Sequence, residues 1–329
     1  MNKIHRGQNL LKRIAAVVIA GAVWVPLLYA QSYPVKPIRV LVGYTPGGSA
    51  DAGIRPLAKP LEALLGQPLI IEYRPGNAGG VAMEFIARTA PDGYTLYYAD
   101  SGPLTVAPHL SKVGYNSLTS FTHLGHVCGS GSLLVVHAST PFNSVAEVIA
   151  ASKRDPAKWS YGTSGVGGPH HLSGEYFKSV TGASLLHVPY KGGGPAMTDL
   201  MGGQVPMLFS SLGPVVGAVK SGKIRAIAVT SLTRSGAFPD VPTMDESGVK
   251  GFDSTAWYGL VGPAGLSPEV TSRLSQALLK AGEDKTLREQ LNATGCDADF
   301  MSTAQTVEKI KNDLAKWGRV VKEANIKAD

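Results

Sequence analysis

The chain has 329 residues, 44% of them hydrophobic, which is enough for packed cores in one large or two medium domains. Its formal net charge is +7, but Lys3, Arg6, Lys12 and Arg13 lie in a leading segment without acids; setting those four aside leaves 27 Lys+Arg against 24 Asp+Glu, or +3. No basic block or basic stripe interleaved with aromatics survives, which excludes a nucleic-acid partner.

The basic start is followed by an apolar run, Ile14 to Leu28, then Ala30 and polar Gln31. This is the pattern of a signal peptide over residues 1–30, cleaved near Ala30. The run is shorter than the roughly 20 residues a spanning helix needs. No Cys follows it, which argues against a lipoprotein, and export to the periplasm is expected. Cys128 and Cys296 are the two cysteines. Export permits a disulfide between them; two buried thiols are an equally open reading.

Residues 38–42 (IRVLV) read as a buried strand, and GYTPGGSAD follows it as a turn and helix start. Beyond Asp51, Ile54, Leu57, Ala58, Leu61, Leu64 and Leu65 mark one helix face, stopped by Gly66. Pro56 and Pro60 predict a kink or break there, since an interior Pro costs about 3 kcal/mol. Strands are expected at 68–72 and 94–98, with a helix from about Val81 to Ala90 between them. The next strand is 133–137 (LLVVH), and Ser144 with Glu147 forms a capping box for a helix. Strands 159–164, 185–190, 206–211 and 224–231 then alternate with helices from Pro169 to Val180, through Leu200, and from Val215 to Lys220. After a loop-rich stretch comes the apolar run 257–262. Three helices without new strands close the chain: one capped by Ser267, one near Lys285, and one from Ser302 with Gln305 completing a capping box.

Strand–helix–strand alternation with apolar strands indicates parallel sheets covered by helices. The pattern restarts in the middle of the chain, and the closing helices need a sheet to cover. The chain is therefore expected to cross between two lobes twice, near 125–130 and near 254–258.

Enzyme signatures are absent. Gly162-Thr163-Ser164-Gly165-Val166 lacks the final glycine of a nucleophile elbow. Gly217 to Lys223 imitates a phosphate loop but has Ile224 where a hydroxyl must reach magnesium. His123 and His126 have no third metal ligand and read as surface histidines, and the adjacent His170 and His171 would point apart on a helix. No cofactor or metal is expected. What recurs is a strand, a loop of small residues, then a helix start: Thr45 to Ser49, Asp100 to Gly102, Gly162 to Gly165, Lys191 to Gly194, and Ser210-Ser211. Helix N-termini offer unpaired N–H groups and a positive dipole end. In parallel α/β sheets such loops gather at the carboxyl edge, where anions bind.

PIRVLVGYTPGGSAD, YRPGNAGG (73–80), YGTSGVGGPHHLSGEYF (161–177), VPYKGGGPAMTDLMGGQV (188–205), FPDVPTMDESG (238–248) and WYGLVGPAG (257–265) strongly resemble the Bug family. Its members are extracytoplasmic solute receptors of tripartite tricarboxylate transporters. The resemblance implies an α/β, two-lobed, periplasmic-binding-protein-like fold of type II. Each lobe would be a mostly parallel sheet flanked by helices, joined by a two-strand hinge. Lobe I would comprise 31–128 and 255–329, and lobe II 129–254. The implied function is capture of a small carboxylate by a monomer, for delivery to inner-membrane permease subunits; presentation to a membrane sensor kinase is the alternative. An exported serine hydrolase using Ser164 and His170 is a third reading, weakened by the missing elbow.

The family's carboxylate loop carries over to Tyr44, Pro46, Gly47, Gly48 and Ser49. The facing turn gives Thr163, Ser164, Gly167 and His170. Ser101 and the loop holding Gly192 and Gly193 complete the rim. Ser210 stands where an acid is common, which points to a ligand without an amine. Tyr44, Tyr190, Phe209 and Trp257 form a candidate aromatic slot, favouring an aromatic acid such as terephthalate.

Overall fold

Ten strands form two sheets joined through one shared strand into a single hydrogen-bonded path, whose two ends are parallel ladders and whose middle is antiparallel. The computed structural model describes residues 33–47, 49–156 and 158–326, so the expected signal peptide and Gly48 lie outside the described residues. The elements all belong to one unit, Lys36–Asp329. The strands are β1 (Ile38–Val42), β2 (Leu69–Tyr73), β3 (Thr95–Asp100), β4 (Phe121–His137), β5 (Ser160–Thr163), β6 (Leu186–Pro189), β7 (Met207–Ser211), β8 (Ile224–Val229), β9 (Thr255–Pro263) and β10 (Asp297–Met301). Their order is β2-β1-β3-β9-β4-β7-β5-β6, with β8 and β10 also paired to β4.

Strand β4 is the pivot. Its first part, Phe121 to Gly131, pairs antiparallel with β9. From Ser132 onward it pairs with β7 and β8 instead. One strand thus serves two sheets, and the chain returns between them at Ser254, whose N–H donates to the Thr230 carbonyl. Leu133 and Val135 join one apolar cluster and Leu134 and Val136 another, the period-two alternation of a strand covered on both faces.

The helices are α1 (Ser49–Leu65), α2 (Gly80–Ala87), α3 (Ala107–Leu110), α4 (Val145–Arg154), α5 (Pro169–Thr181), α6 (Gly193–Met201), α7 (Leu212–Lys220), α8 (Pro268–Ala281), α9 (Lys285–Ala293) and α10 (Thr303–Glu323). Caps stand where the sequence expects them. Ser144 accepts from the Glu147 N–H, although the Glu147 carboxylate accepts from the Asn143 N–H instead of closing the expected box on Ser144. Ser267 accepts from the Val270 N–H, and Ser302 with Gln305 forms a complete capping box.

Four expectations are corrected. Helix α1 runs unbroken for 17 residues through Pro56 and Pro60. The two prolines are four apart, so they share one face. That face is only half-buried, and the apolar face of Ile54, Leu57 and Leu61 holds the helix to the core. The C-terminal block does contain a strand, β10, which pairs with β4 through Cys128 and Gly129. Its sequence DADFM alternates acids with Ala298 and Phe300 but holds no β-branched residue, and its burial does not alternate, so backbone pairing is what establishes it. The first half of β4 is also strand, despite its glycines. Gly125 is required by close approach, since a Cβ there would lie 2.8 Å from Leu278 and 2.9 Å from the Met301 carbonyl oxygen. His123 and His126 are not surface residues; both lie buried in β4, and burial pushes the His126 imidazole down to about 3.

Cys128 and Cys296 form a disulfide with a Cα–Cα distance of 5.4 Å. It joins β4 to the residue preceding β10 across 168 positions. Among the described residues no helix is long and apolar enough to cross a membrane.

Candidate functional site

The carboxyl ends of β1 and β3 open onto a cavity of about 560 Å³, closed from the other side by the start of α5. Tyr44, Thr45, Ser49 and Ala50 come from the loop after β1 and the first turn of α1. Asp100, Ser101, Gly102 and Pro103 come from the end of β3 and the π-helical turn Gly102–Val106. Gly167, Gly168, Pro169 and Leu172 face them from the β5–α5 connection. Ser254, Thr255 and Tyr258 form the floor where the chain crosses into β9, and Trp317 of α10 closes one end. Ligands of open α/β sheets sit at this kind of strand edge.

The lining is aromatic and aliphatic with hydroxyls set into it, and it contains no Lys, Arg or His side chain. An anion here would be held by hydroxyls and backbone N–H groups rather than by an ion pair. The one carboxylate on the wall is Asp100. Burial holds its carboxyl up at about 7 against the pull of the Tyr44 hydroxyl, which donates to Oδ2 at 2.6 Å. Tyr258 stacks on Tyr98 with ring centroids 5.3 Å apart. Burial pushes the Tyr258 phenol up, and its hydrogen bond with Ser49 pulls the other way.

The turn after β1 is braced from below. Asp51 is buried and accepts from the Gly47 N–H at 2.9 Å, from Arg55 Nε at 2.8 Å, and from the Tyr73 hydroxyl. Burial would raise its carboxyl, but these hydrogen bonds hold it below the ordinary carboxylate value. Asp51 therefore sets the turn rather than meeting a ligand. The turn between β5 and α5 is braced by three histidines. Thr163 Oγ1 lies 2.7 Å from His187 Nε2, Ser164 Oγ lies 3.0 Å from His170 Nδ1, and the Gly167 N–H donates to His171 Nδ1 at 3.0 Å. The His171 and His187 rings stack at 3.8 Å. Burial pushes His170 and His187 down to about 4, so both are neutral at pH 7.

Of the residues named from sequence, Tyr44, Ser49, Ser101 and Gly167 line the cavity. Pro46 and Gly47 belong to the loop but not to the wall, and the Gly47 N–H is already used. Thr163, Ser164 and His170 do not line the cavity. His170 also reaches Ser211 through Nε2 at 3.1 Å. That imidazole lies between two hydroxyls, with no carboxylate to orient it, so the pair lacks the third member of a hydrolase triad.

The aromatic slot differs from the expected one. Phe209 is core, packed on Tyr161 and Phe177. Trp257 is also core and donates Nε1–H to Asp313 at 2.7 Å. Tyr190 donates to Asp199, Ser210 pairs with Leu133 between β7 and β4, and Gly192 and Gly193 start α6; none of them lines the cavity. Adjacent residues on a strand face opposite sides, so burying Trp257 presents Tyr258 to the cavity. The aromatic wall is Tyr44, Tyr258 and Trp317. Tyr258, Trp317 and the Ser254–Thr255 floor escape sequence reading as wall residues, and Asp100 is named there only as the start of a small-residue loop. Asp100 ends an apolar strand ahead of a small-residue turn, and that was the available signal. Among the described residues no group of His, Cys, Asp and Glu could hold a metal.

A family model described as the tripartite tricarboxylate transporter family receptor matches residues 54–326. Protein BugT of Bordetella pertussis is 33% identical over 319 residues, covering 96% of this chain and 98% of that protein. The solved structure of the periplasmic binding protein BugD is similar with a TM-score of 0.69 at 32% identity, covering 90% of this chain and 100% of BugD. R. palustris Rpa4515 with adipate gives 0.72 at 30% identity over 90% of this chain and 99% of its own. MatC (Rpa3494) from Rhodopseudomonas palustris with bound malate gives 0.68 at 26% identity over 88% and 100%. Taken with the fold and the strand-edge cavity, these likenesses settle the family: the chain belongs to the tripartite tricarboxylate transporter receptors, the group that includes the Bug proteins.

Proposed function

We propose that this protein is an exported receptor that captures a small carboxylate, with an aromatic acid such as terephthalate favoured, and delivers it to inner-membrane permease subunits. The observation that carries the reading is the cavity wall. Hydroxyls of Ser49 and Ser101 stand among Tyr44, Tyr258 and Trp317, with no fixed cation, while the Thr255 hydroxyl is already donated to Asp253. Such a wall gains from burying a flat apolar body and turns a carboxylate toward hydroxyl and N–H donors. The adipate and malate complexes of the two similar receptors support a carboxylate as the ligand class. Residues 31–128 with 255–329 form one jaw and 129–254 the other, and β4 with the Ser254–Thr255 crossing is the hinge about which a monomer closes.

The test is thermal-shift and calorimetric screening with terephthalate, adipate, malate, glutamate and aspartate. A ligand at a hundred times its Kd should add about 2.7 kcal/mol of stability. Terephthalate is expected to stabilise most. Stabilisation by glutamate or aspartate alone would overturn the ligand assignment.

A further inference from the structure

Asp100 ends β3 on the cavity wall, where no basic side chain faces it. Its Oδ2 accepts from the Tyr44 hydroxyl, which also reaches the Ala78 carbonyl oxygen at 2.9 Å. Its Oδ1 is buried and has no hydrogen-bond partner among the described residues. The titratable groups around it are phenols from each neighbouring element: Tyr44 after β1, Tyr97 on β3, Tyr258 on β9, and Tyr115 beyond α3. Burial first, and then the Asp100 charge, pushes each of them up, so they stay neutral. The 3₁₀ turn Asn77–Gly79 packs near the carboxyl with no titratable side chain. Asp100 is therefore the group of this wall that changes charge near neutrality.

We propose that Asp100 couples capture to a proton: the cavity accepts an anionic ligand with the Asp100 carboxyl protonated, so binding is accompanied by proton uptake. This rests on the carboxylate reading above. Two negative charges sharing a cavity that excludes water repel strongly, so the bound anion raises the Asp100 pKa further. The protonated carboxyl also supplies an O–H donor on a wall that has no cationic one. The sign follows. Below the free-protein value of about 7, Asp100 is neutral in both states and affinity is at its plateau. As pH rises through that value the free protein loses the proton, binding must restore it, and affinity falls about tenfold per pH unit. The fall levels off once pH passes the raised value of the complex.

Calorimetry with terephthalate, adipate and malate, from about pH 6 to about pH 8.5 in two buffers of different protonation heat, tests this. The expected result is proton uptake approaching about one per ligand near pH 8, with Kd rising across the range. Asp100→Asn should abolish the uptake and flatten the pH dependence. Tyr44→Phe removes the hydrogen bond that favours the ionised carboxylate, so it should move the pH midpoint upward; it tests the inference on its own if Asp100→Asn fails to fold. Binding with no proton uptake overturns the inference and leaves the carboxylate reading standing. So does uptake that persists in Asp100→Asn. An affinity that rises with pH, as a ligand bringing an ammonium to Asp100 would give, overturns it too. Failure of all three acids to bind at any pH overturns both readings.

Discussion

At the scale of single residues, the cavity is built from hydroxyls held in place by neighbours that never touch it. Tyr258 and Ser49 share a hydrogen bond on the wall, so Tyr258→Phe should weaken binding of the best panel acid by about 1 kcal/mol, roughly fivefold in Kd, read by calorimetry. The histidine brace makes a second prediction. Burial, followed by the charge of His171, holds His187 down at about 4, below its ordinary 6.5. A histidine depressed in the folded state contributes stability above its unfolded pKa and loses it as pH falls toward the folded one. The protein should therefore lose this contribution between about pH 6.5 and about pH 4. His187→Phe keeps a ring in the stack and removes the titration, so its Tm should vary less with pH across that window. Tyr44, Ser49, Ser101 and Gly167, named from sequence, line the cavity because each sits in a strand-to-helix loop. Sequence spacing names Asp100 only as the start of a loop and misses Tyr258, because a buried strand end and a strand face show their direction only once the neighbouring strands are paired.

At the scale of elements, local signals decide most boundaries. The Ser302–Gln305 capping box satisfies two backbone donors at the start of the 21-residue α10. Ser302→Ala should cost about 1 kcal/mol, measured as a lowered urea midpoint with unchanged slope. Local signals fail where tertiary packing overrides them. Two interior prolines do not break α1, since its buried face outweighs the lost hydrogen bonds. Strand β10 exists because β4 offers it a free edge, and the short acid-rich alternation of DADFM is too weak a signal to announce it.

At the scale of the molecule, β4 belongs to two sheets, and the cavity lies beside the place where the return crossing enters β9. The Cys128–Cys296 disulfide anchors the β9-paired half of β4 to the C-terminal block. Replacing both cysteines by Ser should cost about 2–5 kcal/mol, seen as a lower Tm that added reductant no longer affects. Affinity at saturating ligand should change little, because neither cysteine lines the cavity.

The sequence by itself determined the alternation of strands and helices, most caps and the family, and it named small-residue loops of which several line the cavity. Each of these depends on residues close together in the chain or on motifs read in order. Only the tertiary structure decided the disulfide, the continuity of α1, the strand β10, and which aromatics face the cavity. Those outcomes depend on which strand edge lies free and which face of a strand is covered, and both are set by partners more than 100 residues away in the chain, as Cys128 is from Cys296.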